Sequence, residues 1–166
     1  DISSVDTGFL VREPETICFG QAPSRARRIL KKGDTIISTV RTYLKAVYHV
    51  ANEIQDWIAS TGFAVLTPNN TIYPSFLGLL ILRDCFINRV IQKSVGVAYP
   101  AISETQLGTL YLAYPASIDE QRKIWEAVHL SSKSLDQAIA RAEREIELMT
   151  EYRARLISDV VTGKVD

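Results

Sequence analysis

From Asp119 to Thr162 the chain has neither proline nor glycine, a stretch that dominates what this sequence can fold into. Ser117-Ile118-Asp119-Glu120 opens it in capping-box order: Ser117 accepts from a free backbone N–H and Glu120 reaches back. Asp119 and Glu120 also suit the positive end of a helix dipole. Apolar residues recur at Ile124, Val128, Leu135, Ile139, Ala142, Ile146, Met149, Tyr152, Leu156 and Val160. From Leu135 the steps are threes and fours, which predicts one apolar seam along a charged helix over 119–161. Such a helix is roughly 60 Å long at 1.5 Å per residue. The part of the chain before it, about 115 residues, has a radius of gyration near ~13 Å and cannot cover such a rod. Part of the seam must therefore meet another helix of a longer chain, a second copy, or a different subunit. Leu135, Ile139, Ala142, Ile146, Met149 and Leu156 are the pairing candidates. The competing reading is a helical hairpin partner within the same fold.

Residues 1 to about 115 behave differently, with short segments punctuated by Gly, Pro and Asn. Asp34 to Val40 reads as a strand, β-branched almost throughout after the Gly33-Asp34 turn. Ala46 to Ala51 and Phe63 to Leu66 read as further strands, and Thr109 to Tyr114 as a last one closed by Pro115. Leu77 to Lys93 reads as helix, interrupted or bent near Cys85, with Ser75 as its cap and Pro74 in its first turn. The expected class is α/β (α+β mixed): a small domain with a mixed sheet, then one long C-terminal helix. A composition of 46% hydrophobic and 23% charged residues excludes a disordered or disulfide-dense chain. No run of 18 apolar residues occurs, so no membrane-spanning helix is expected. Cys18 and Cys85 read as two half-buried thiols of a cytoplasmic protein.

The net charge of zero conceals an uneven distribution. Between Thr16 and Val50 stand Arg25, Arg27, Arg28, Lys31, Lys32, Arg41 and Lys45, against Asp34 as the only acid. A basic patch attracts a polyanion, although a charge run is also often just a solvated face. Arginine forks onto phosphates or onto guanine O6 and N7. Ser24, Thr39, Thr42 and Tyr43 suit phosphate and base-edge hydrogen bonds, and the strand over 34–40 delivers Arg41, Thr42, Tyr43 and Lys45 on a loop at its end. A third candidate is Lys93 with Gly96 and Tyr99, where the glycine allows close backbone approach. Against this, Arg27 and Arg28 have Glu13, Glu15 and Asp34 as possible ion-pair partners, and Tyr43 and Tyr99 can simply cap the core. His49 and His129 have no metal-ligand spacing around them, and neither a phosphate loop nor a nucleophile elbow occurs. The expectation is a non-catalytic chain.

In its order of motifs the chain resembles the specificity (S) subunits of type I restriction–modification systems. The stations are Ile2-Ser3-Ser4-Val5-Asp6, Ala22 to Arg28, Gly33 to Arg41, Ser60-Thr61-Gly62-Phe63 and Gly96 to Ile102. The most telling are Pro115 to Gln121 with Ile124 following, and Leu156 to Asp166. The resemblance implies a target recognition domain, about 1–115, that reads one half of a bipartite DNA site. It further implies a conserved helix, 116–166, that forms half of an antiparallel coiled coil, spaces the half-sites and docks subunits. The implied partners are double-stranded DNA, methyltransferase subunits that use S-adenosylmethionine, and restriction subunits that use ATP and Mg; no cofactor is expected on this chain. Members typically carry two such units, so one unit implies half a subunit, its tail the C-terminal half, and a homodimer through the long helix as one way to restore the pair. The opening on Asp1 predicts a fragment or processed chain, with the first strands of the domain preceding Ile2. Base-reading residues vary between members, so no base assignment follows. The alternative is a helix-pairing scaffold without direct DNA readout.

Overall fold

The computed structural model describes residues 1–163; Lys164, Val165 and Asp166, the end of the C-terminal motif, lie outside the described residues. The chain divides into two compact units, Asp1–Trp125 and a second that begins at Glu126.

The first unit is organised around β2 (Thr35–Ser38), whose four residues are all buried. It pairs antiparallel with β3 (Val47–His49) on one side and β5 (Phe63–Leu66) on the other, with Ile36 opposite Tyr48 and Val65. Alternate residues of a strand face opposite ways, so this small sheet buries both faces. Ile37, Val47 and Ala64 pack with Leu77 and Ile81 of α1 (Pro74–Ile81) and with Phe86, Ile87 and Val90 of α2 (Asp84–Lys93). Ile36, Phe63 and Val50 pack the other way, onto Val5, Leu30 and Ala59. Leu30 follows β1 (Ala26–Ile29) and Ala59 lies in β4 (Ile58–Ser60), which pair antiparallel in a second, two-stranded sheet. A parallel bridge between Thr7 and Val47 makes the larger sheet mixed.

The strands expected over 34–40, 46–51 and 63–66 are present, and the expected helix breaks into α1 and α2 between Ile81 and Asp84. Pro74 occupies the first turn of α1, but the cap is Tyr73, without a side-chain bond, and Ser75 lies inside the helix. The strand expected over 109–114 does not form. Leu110 and Leu112 do turn inward onto the core while Tyr111 is exposed, so the alternation is real. The segment lacks a strand ladder, however, and the Tyr111 carbonyl accepts from Arg89 Nη1 at 2.8 Å. Alternation reports one buried face, not pairing. Just before it, Ser103 and Gln106 form a capping box that starts α3 (Glu104–Gly108). Cys18 and Cys85 are unpaired, as expected, but both are exposed rather than half-buried.

The long helix, α4, runs Ile118–Val161, 44 residues. Ser117 Oγ accepts from Glu120 N–H at 3.4 Å, the first half of the expected box. The first turns of α4 belong to the first unit and are fixed by Gln121, which is 0% exposed. Its Oε1 accepts from Tyr73 N–H at 2.8 Å, and its Nε2 donates to Thr71 O at 3.0 Å and Pro115 O at 2.8 Å. Tyr73 is further held edge-on by Trp125 and lies under the Arg122 guanidinium. In the second unit Leu135, Ile139, Ala142, Ile146, Met149 and Leu156 are exposed. Among the described residues no helix is long and apolar enough to cross a membrane.

Candidate nucleic-acid interface

Part of the basic segment, Ala26–Ile29, is the strand β1. Along β1, Ala26 and Arg28 turn inward while Arg27 and Ile29 turn outward. The pairing with β4 slips between Ala26 and Arg28, leaving Arg27 as the extra residue of a bulge. A bulge re-aims the side chain it carries, and Arg27 is exposed, its Nε donating to Ser24 O at 2.8 Å. Arg28 pairs with Glu104 of α3, not with Glu13, Glu15 or Asp34. Asp34 is buried, its carboxylate accepting from Thr67 Oγ1 and Lys31 N–H, both at 2.8 Å. The only acid in the basic stretch is thus used inside the fold. Ser24 and Arg25 are exposed.

Main-chain bonds tie this segment to the other two candidate clusters. Arg25 O accepts from Thr61 N–H at 2.8 Å, in the turn between β4 and β5. Gly62 O accepts from Thr39 N–H at 2.8 Å and from Thr39 Oγ1 at 2.9 Å. Thr39 O accepts from Ile102 N–H at 2.8 Å, and Val40 bridges Ala101. Ala101 exchanges two bonds with Val95, of 2.8 and 2.9 Å, closing the loop 95–101. Segments distant in sequence therefore converge just beyond β2, at Thr39 and Val40, next to Arg41.

At that end Thr42–Leu44 forms a 3-10 turn flanked by Arg41 and Lys45, both left-handed, at φ 50° and 52°. Thr42 is buried, its hydroxyl 2.8 Å from Ser94 Oγ just beyond α2. This corrects its candidacy for DNA contact: the hydroxyl seats the turn on α2. Tyr43 is half-exposed. Lys45 Nζ lies 3.3 Å from Asp84, so it carries a partner too. Arg41 projects its guanidinium over the Tyr99 ring, 4.9 Å from the centroid. Gly96 stands at φ +118°, and a Cβ there would approach Tyr99 O to 3.1 Å, so the loop requires glycine. Lys93, at the end of α2, is exposed. Lys31 and Lys32 lie beyond the opposite end of β1, with Lys32 paired to Glu53 at 2.7 Å.

Sequence reasoning missed Glu104 and Asp84, which pair with Arg28 and Lys45, and the Thr61–Gly62 turn, which links the clusters. For α3 a signal existed in Ser103-Glu104-Thr105-Gln106, a capping-box pattern. Nothing in one sequence pairs Arg28 with a residue so far along the chain.

The family described as type I restriction modification DNA specificity domain matches residues 20–148. The chain belongs to that family. It is 29% identical over 109 residues to the type I restriction enzyme HindI specificity subunit of Haemophilus influenzae, covering 64% of this chain and 24% of that protein. Its fold is similar to that of the HsdS subunit from Thermoanaerobacter tengcongensis, with a TM-score of 0.67 and 33% identity over 89% of this chain and 39% of that one. A chain from work on complex assembly and conformational transition of the type I R-M system gives a TM-score of 0.72 and 30% identity, with the same two coverages of 89% and 39%. The chain thus spans about a quarter of the curated relative and about two fifths of these solved chains.

Proposed function

We propose that this chain recognises double-stranded DNA by sequence, as a specificity subunit or half of one, in a type I restriction–modification complex. In this reading residues 1–115 read one half of a bipartite site. The helix from residue 116 onward spaces the halves and docks other subunits, including a second copy through the Leu135–Leu156 seam. The chain itself does no chemistry; methyl transfer from S-adenosylmethionine and ATP- and Mg-dependent restriction belong to partner subunits. The observation that supports this best is the convergence of Arg25, Arg41, Lys93, Gly96 and Tyr99 around main-chain bonds at the end of β2, in a member of the specificity-domain family.

Arg25 and Lys93 are the cleanest probes, because neither enters an ion pair among the described residues. Arg25→Glu with Lys93→Glu weakens duplex binding and makes the dependence of log K on log salt shallower by about 0.9 per lost phosphate contact. Fluorescence anisotropy with a labelled duplex at several salt concentrations measures both. Unchanged affinity and slope in a folded double variant remove this surface from the interface, and no duplex binding by the native chain favours the scaffold alternative.

A further inference from the structure

Phosphate contacts hold a protein on the duplex, while base contacts select the sequence. Among the candidates, Arg41 is built for the second task. A non-glycine residue is disfavoured in the left-handed region and stays there only where its surroundings hold it. Arg41 stands at φ 50°, ψ 47°, and its surroundings do hold it. On one side Val40 bridges Ala101; on the other Leu44 N–H donates to Arg41 O at 2.9 Å. The next residue, Thr42, is buried and bonded to Ser94, whose hydroxyl donates to Val90 O at 2.7 Å. The side chain therefore leaves a fixed point of the backbone.

The far end is positioned as well. The guanidinium lies over Tyr99, which is 65% exposed and sits on the loop that Val95 and Ala101 close. Arg28 and Lys45 are matched by Glu104 and Asp84, whereas Arg41 enters no ion pair among the described residues. A ring beneath a guanidinium steadies its plane and leaves N–H groups at its edge to donate. Gripping a phosphate needs charge and reach, which an unanchored lysine supplies. A planar fork held in one orientation suits two parallel acceptors, and in the major groove guanine presents O6 and N7 as such a pair.

Building on the DNA-recognition reading, we propose that Arg41 is a specificity-determining residue that reads a guanine of the half-site through the major groove, with Tyr99 as its positioning residue. The test is enrichment of a randomised duplex pool on the full chain and on the variants Arg41→Lys, Tyr99→Leu, Tyr99→Phe and Arg25→Gln, each verified as folded by circular dichroism. The native chain yields a motif with at least one G·C pair. In Arg41→Lys that pair becomes degenerate, losing about 5- to 150-fold in discrimination, while the other positions persist. Tyr99→Leu loosens the same position and Tyr99→Phe, which keeps the ring, retains it. Arg25→Gln lowers binding to all sequences alike. A motif that Arg41→Lys leaves unchanged, or a native motif without G·C, overturns the Arg41 assignment and leaves DNA recognition standing. A native chain that enriches no motif overturns the recognition reading and the assignment with it.

Discussion

Replacing Gln121 by leucine tests how α4 is fastened to the domain. The native side chain is fully buried and makes three hydrogen bonds, all to main-chain groups: Tyr73 N–H, Thr71 O and Pro115 O. Leucine has a similar bulk and no polar atom, so it leaves one donor and two acceptors unmatched. Each such bond contributes about 1 kcal/mol net, and an orphaned buried group costs about 1–3 kcal/mol. The expected loss is therefore about 3 kcal/mol or more. With a urea m-value near ~2 kcal/mol per M, the midpoint falls by about 1.5 M. The chain has two tryptophans, and Trp125 packs against Tyr73 beside this residue. In a Trp57→Phe background, Trp125 fluorescence follows the base of the helix while far-UV circular dichroism follows the chain as a whole. A fall of the fluorescence midpoint by about 1.5 M is expected; a shift under about 0.3 M by both probes refutes the anchoring role. Gln121→Glu sharpens the test, because a carboxylate repels both carbonyls whereas the neutral acid still donates to one. Its deficit is smaller near about pH 4 than at neutral pH.

Gly78→Ala inverts an ordinary rule. Alanine in a helix interior gains about 1 kcal/mol over glycine, but here the new Cβ would meet His49 Cβ at 2.8 Å and Cγ at 2.9 Å. A loss of about 1–3 kcal/mol is expected from overpacking, read as a lower melting temperature, with Gly20→Ala, where the space is open, as the neutral comparison. His49 titrates below the ordinary histidine range, because burial disfavours its cation more than the nearby Asp34 favours it. Its neutral form therefore supports folding above about pH 6.5, and that support is lost as pH falls through the lowered folded value. The urea midpoint should drop between neutral and mildly acidic pH, and His49→Gln should flatten that drop; equal slopes in both chains would exclude His49 as the source. The proposed pairing through the long helix predicts a native dimer by light scattering at tens of micromolar, and a monomer there would refute it; Ile139→Asp with Ile146→Asp should then give a monomer with the first unit intact by tryptophan fluorescence. Persistence of the dimer would move the contact off this seam.

The region of α1 and α2, the long helix α4 and the central sheet were legible because each carries its own signal, whereas α3 went unread. In β2 the β-branched run follows a Gly-Asp turn, and in α4 apolar residues recur in threes and fours from Leu135 while no breaker interrupts its 44 residues. Where the reading failed, a tertiary event decided. The segment 109–114 alternates like a strand, but its carbonyl at Tyr111 went to Arg89 instead of to a ladder. β1 was obscured by its arginines, since its inward positions are only Ala26 and Arg28. At the candidate interface, sequence named the residue types, but it could not tell the engaged ones from the available ones. Thr42 is spent on Ser94, Arg28 on Glu104 and Lys45 on Asp84, all contacts across 39 to 76 positions of the chain.

Two regions of the first unit are fixed by different kinds of bond, with different consequences for change. The proposed DNA-binding surface is assembled by main-chain bonds, from Arg25 O through Thr61, Gly62, Thr39 and Ile102 to the Val95–Ala101 pair. Main-chain bonds do not depend on which side chain a residue carries. Arg25, Lys93 and Tyr99 can therefore be exchanged while the loops keep their places; the geometry does constrain Gly62, where a Cβ would meet Ile2 at 2.8 Å, Gly96, buried Thr42 and left-handed Arg41. The base of α4 is the opposite case, since three main-chain groups there depend on the single side chain of Gln121. Side-chain exchange on the first kind of support leaves the backbone links in place, whereas exchange of Gln121 removes all three bonds at once.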